Sequence, residues 1–150
     1  MASYVFDNAK ELLLKGDLDF DEAGNDIRVA LLMTNTTADT EKTKTTLTGA
    51  GGFTTLDDCD GANYVRKALA NQVVSEDAGG NRGEFSADAV TWTALGVGTR
   101  QVQGMLIYKF VTNDSDSIPI AWIDTGGFPF WGNGSDVTIT PNAQGLLQTT

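Results

Sequence analysis

The sequence has no histidine, one cysteine, three prolines and half as many basic as acidic side chains. Without histidine it lacks the commonest general base, the commonest zinc ligand and the usual partner of a serine or cysteine nucleophile. A single cysteine, Cys59, cannot close an internal disulfide, so it is either a reduced thiol or a cross-link to another subunit. Ten Lys plus Arg against twenty Asp plus Glu leave a net charge of -10. Such a surface repels phosphate backbones and anionic lipid, so neither nucleic acid nor a membrane is expected as a partner. It also keeps a protein soluble at high local concentration, which suits a component made in many copies. No apolar run approaches the ~20 residues a spanning helix needs. No charged-then-apolar leader opens the chain, so synthesis and folding in a cytoplasm are expected. These absences argue against a conventional enzyme, and no cofactor is expected.

What the chain does contain is alternation. Its 150 residues fit a single domain. From Ser117 to Leu147 the pattern is strand, loop, strand. Ile118, Ile120 and Trp122 share one face, Pro119, Ala121 and Ile123 the other, and Val137 and Ile139 pair up again after a glycine- and aromatic-rich loop. Pro119 has no amide hydrogen for a central ladder, which predicts an edge strand over 118–124 or one that starts at a bulge.

Taken from the N-terminus, residues 6–15 are the one convincing helix. Asp7 or Asn8 can cap it, Ala9, Leu12 and Leu13 form its apolar face, and Gly16 is placed to stop it. Leu18 and Phe20 then alternate with Asp17, Asp19 and Asp21, and 22–26 reads as a turn. Ile27 to Thr34 is the clearest buried strand. The Thr/Gly-rich stretch 35–53 has little to bury and predicts a long, mobile loop that either has a job or is ordered only against a neighbour. Residues 62–74 fit a helix or a strand, and strand is favoured because the surroundings are sheet-like. A polar turn is expected over 75–82, one strand over 84–95 and another over 101–111. Turn signals every ~8–12 residues indicate an all-β fold, mainly an antiparallel β-sandwich or jelly-roll-like, with an N-terminal arm and helix over 1–16.

Few residues suggest chemistry. The acidic groups Asp17/Asp19/Asp21, Asp57/Asp58/Asp60 and Asp114/Asp116 lack the spacing of a calcium loop and read as solvated turns. Asp124 is the best single catalytic candidate, but its expected role is to cap a turn through its own backbone. Acidic neighbours should raise the Cys59 thiol pKa and slow any attack by it, leaving an inter-subunit disulfide as its alternative use. The sharpest feature is the loop 126–134, with Phe128, Phe130 and Trp131 set among glycines. If exposed, these rings form a contact patch for another protein; otherwise they plug one end of the core. Tyr4, Phe6 and Phe53 are further contact candidates. A carbohydrate-binding platform would instead use Trp131, Phe128 and Tyr108.

The order of segments carries a resemblance. A short helix leaving through Gly16-Asp17-Leu18-Asp19-Phe20 precedes the segment from Asp26 to Leu32. Phe85 to Trp92, Ile107-Tyr108-Lys109, Pro119 to Gly126 and Asn133 to Ile139 follow. The set resembles a group of small accessory virion proteins of tailed bacteriophages, of the head-decoration or neck-collar type. That resemblance implies a structural role in the virion and location on the particle. On that reading a homo-oligomer is expected, with a trimer the first expectation, bound to major capsid, portal or neck proteins. It implies no catalytic residue. A tail or fibre module that binds carbohydrate or the host surface is the alternative.

Overall fold

A computed structural model describes residues 3–20, 27–142 and 145–149. Among these residues ten strands and one helix run in the order β1 (Tyr4–Val5), α1 (Asp7–Lys15), β2 (Ile27–Met33), β3 (Lys67–Ala68), β4 (Val73–Asp77), β5 (Arg82–Ser86), β6 (Val90–Leu95), β7 (Val102–Lys109), β8 (Ile118–Ile123), β9 (Ser135–Ile139) and β10 (Leu147–Thr149). All pairings are antiparallel, in sheets ordered β1-β8-β7-β2-β3, β10-β5-β4 and β6-β9. The fold is all-β with one short N-terminal helix, as expected.

β2, β7 and β8 are the centre. Their residues are apolar on both faces, and nearly all are buried, because both faces of the five-stranded sheet are covered. On one face Val29, Ile107, Ala121 and Val5 lie in register, beside the row of Leu31, Met105 and Ile123. On the other lie Ala30, Leu106, Trp122 and Tyr4.

Pro119 does not make β8 an edge strand. β8 pairs with β7 on one side and β1 on the other. The proline sits where the β7 register slips between Ile107 and Tyr108, and β1 pairs only with Ala121 and Trp122, beyond it. The bulge resolves the missing donor. The helix runs Asp7–Lys15 and ends on Gly16 at φ 76°, whose N–H reaches the carbonyls of Leu12 and Leu13. Its start differs from expectation. Phe6 holds the cap position with no side-chain bond, because it still extends β1 and donates its N–H to Ile120.

Three segments depart from the sequence reading. Residues 62–74 yield only the two-residue β3 and the start of β4, and the turn expected over 75–82 is present but confined to 78–81, between the hairpin strands β4 and β5. The strand expected over 84–95 is two strands in different sheets, and the turn expected over 22–26, with Asp21, lies outside the described residues.

The Thr-rich stretch is the largest correction. It forms no strand, yet Ala38, Leu47 and Phe53 are buried core residues. Glu41 ties it together by accepting bonds from the Thr37 and Thr54 hydroxyls and the Thr54 N–H, with Lys44 at 3.2 Å. Burial works against the charge, but these donors outweigh it and hold the Glu41 carboxyl down to about 2. A lowered pKa gives stability that is present above the ordinary value of 4.5 and is lost as pH falls through about 2. Water still reaches 24% of this side chain, so Glu41→Gln should cost about 2 kcal/mol at neutral pH. Urea unfolding as a function of pH measures this, and a wild-type/variant gap that does not narrow in acid would refute it.

Candidate functional site

Residues 125–134 leave β8, cross the end of β7 and return as β9. The loop's shape follows from its glycines. Gly126, Gly127 and Gly134 have φ of 73°, 121° and 83°, where side chains are strained. At Gly132 a Cβ would lie 2.0 Å from the Gly96 carbonyl oxygen, so no other residue fits that crossing. The backbone is anchored as well. Phe130 and Val102 exchange both main-chain bonds, at 3.1 and 2.8 Å, and the Gly134 N–H donates to Leu95 at 2.8 Å.

The aromatics divide between the core and the surface. Phe128 and Phe130 stack at 5.5 Å between centroids and pack half-buried against the core. Trp131 points out and is 50% exposed. Below the loop, a cleft of about 760 Å³ opens between the five-stranded sheet and the two smaller ones. Met105 and Ile123 contribute to its floor, Phe128 and Phe130 to one wall, Ile139 and Leu147 to others.

The other contact candidates lie elsewhere. Phe6 is fully buried and meets Phe53 edge-on at 5.4 Å; Phe53 is itself buried. Both belong to the core beneath the Thr-rich stretch, which corrects their assignment to a contact surface. Tyr4 is half-buried. It donates its hydroxyl to the Ala38 carbonyl, with the Lys42 ammonium 4.8 Å from its ring centroid. Burial, then the negative charges of Asp39, Asp124, Glu41 and Asp7, push its pKa up.

Cys59 is buried beside β2, where its N–H donates to Leu31. Burial first, then Asp60 and Asp58, push the thiol up, against a backbone bond from Gly61. A cross-link to another subunit would require unpacking it, so the disulfide expectation is corrected. Tyr108 is also buried, with the Arg66 guanidinium 5.5 Å from its ring centroid, and drops out of any stacking platform.

Asp124 is buried, and neither carboxylate oxygen has a hydrogen-bond partner among the described residues. It therefore caps no turn, contrary to expectation. The acidic groups are occupied by other work. Asp57 pairs with Arg100, Asp58 and Asp114 both pair with Arg66, and Asp60 accepts from the Thr99 N–H and hydroxyl. Asp116 caps the N–H groups of Thr112 and Asn113. Among the described residues, no three His, Cys, Asp or Glu side chains are grouped to hold a metal.

The sequence reading missed Arg66 and Glu41, around which the loops are organised. The available signal was scarcity: with ten cations among twenty acids, an arginine inside an apolar run is bound to find carboxylates. No protein-family model, no curated protein and no solved structure matches this chain.

Proposed function

We propose that the chain is a non-enzymatic structural component of a tailed-phage virion, a homo-oligomer that binds the capsid or neck surface. The order of its segments supports the phage reading. The observation that carries the adhesive part is Trp131, a half-exposed indole on a loop bonded into the sheet at Val102–Phe130. A large aromatic already fixed in place loses little freedom on contact, which is what makes tryptophan an anchor at protein interfaces. The acidic surface keeps free subunits apart until they meet a complementary site. Each added contact between neighbouring subunits then raises particle stability by mass action and avidity.

Size-exclusion chromatography with light scattering, and cosedimentation with phage heads lacking the protein, test this. Trp131→Ser should weaken particle binding by roughly thirtyfold, about 2 kcal/mol, with the circular dichroism unchanged. A persistent monomer that ignores phage particles would overturn the proposal. A tryptophan fluorescence response to cell-wall glycans in its place would favour the carbohydrate-binding alternative.

A further inference from the structure

The cleft below the aromatic loop is where all three sheets come to an end. Among the described residues, β1 is the terminal strand of the five-stranded sheet, β10 of the three-stranded one, and β9 has a partner on one side only. Residues of all three strands line the cleft: Tyr4 and Val5, Val137 to Ile139, and Leu147. A terminal strand presents a row of backbone donors and acceptors to whatever lies beside it. Natural edges are usually blunted by lysine, an inward charge or a covering element. None of the described residues lining this cleft carries a charge. That is unusual in a chain with thirty charged side chains and a net charge of -10.

We infer that this cleft receives an extended, uncharged peptide segment of a partner protein, which adds as a strand to the exposed edge of β9. The chemistry of the occupant follows from the walls. A charged side chain on the inward face would be desolvated with no counter-charge to meet it, so that face must be neutral. Successive side chains of a strand point to opposite sides, so every second residue meets Met105, Ile123 and Phe130 and must be apolar. The residues between face the opening, where Thr140 supplies a hydroxyl at the rim and that of Thr138 is already bonded to Thr91. Main-chain bonds to β9 give affinity and the apolar positions give selectivity, as in other strand-addition sites. The shape favours this over a compact small molecule, because the lining follows β9 from Val137 to Ile139 and continues past its end to Asn142.

The loop contributes Phe128 and Phe130 to this site, but Trp131, which carries the adhesive surface just proposed, does not line the cleft. Failure of either leaves the other standing.

The test uses the full chain and a short capped peptide alternating valine with threonine or glutamine, labelled for fluorescence anisotropy. Binding should protect the amides of residues 137–140 from hydrogen exchange. The same peptide N-methylated at alternate residues keeps its side chains but cannot complete the ladder. It should bind at least about tenfold more weakly, as should a peptide with aspartate at the valine positions. Val137→Asp in the protein should weaken binding by a similar factor, and protection of the unmodified chain gives an answer that does not depend on that variant folding. Equal affinity for the N-methylated peptide, no measurable binding, or protection confined to other strands would each overturn the inference.

Discussion

Replacing Arg66 by methionine is expected to destabilise the protein by about 3 kcal/mol, the low end of what removing one partner of a buried ion pair costs. The guanidinium donates to Asp58 through Nε at 3.0 Å. It donates to Asp114 through its terminal nitrogens at 2.6 and 2.9 Å. Both carboxylates are about one-third exposed, which holds the figure below that of a fully buried pair. The connections spread further. Asp58 accepts from the Tyr64 hydroxyl, which in turn accepts the Leu31 N–H, and the Asp114 carbonyl receives the N–H groups of Leu47 and Thr48. One side chain therefore ties the 57–66 segment, the 113–117 turn and the Thr-rich stretch to β2. At 150 residues, 3 kcal/mol corresponds to a fall in Tm of about 6–12 °C. Adding Asp58→Asn and Asp114→Asn should restore part of the loss by removing the stranded charges. Calorimetry on the single and triple variants decides the matter, and a triple variant weaker than the single one would refute this account.

The second large effect is expected at Trp92. It is fully buried on β6, lies opposite Val137 of β9 and donates its indole N–H to the Val65 carbonyl at 2.8 Å. Trp92→Ala removes the ring and strands that carbonyl, so a loss of about 3–5 kcal/mol is expected. Native-state hydrogen exchange should show the 62–66 segment and the β6–β9 pair opening together. Trp131→Ser supplies the contrast, with little change in urea midpoint because that ring is half in water. Equal losses at the two tryptophans would mean that burial is not what distinguishes them.

The long strands were legible because burial on one or both faces leaves a direct mark on residue order. The segment from Ile27 to Met33 and the alternation from Ile118 to Trp122 are such marks, and so is the Gly16 stop. The short strands were not. β3 and β4 take their positions from pairing with β2 and β5, which no local pattern encodes. The Thr-rich stretch misled because few of its residues are apolar, yet Ala38, Leu47 and Phe53 suffice when Glu41 organises the hydroxyls around them. For the site, glycines and aromatics announced the loop 126–134, but which ring would face water depended on the distant pairing of Phe130 with Val102. The cleft could not be read at all, since it is made by where three sheets stop.

The pairing of β2 with β7 carries a consequence for how the chain is made. Ile27–Met33 leaves the ribosome before its partner Val102–Lys109, which emerges only after the whole intervening stretch has been synthesised. At roughly 5–20 residues per second, the ribosome leaves this apolar strand without its neighbour for several seconds or more. Over that interval the apolar strand is exposed surface of the kind that aggregates before its partner arrives.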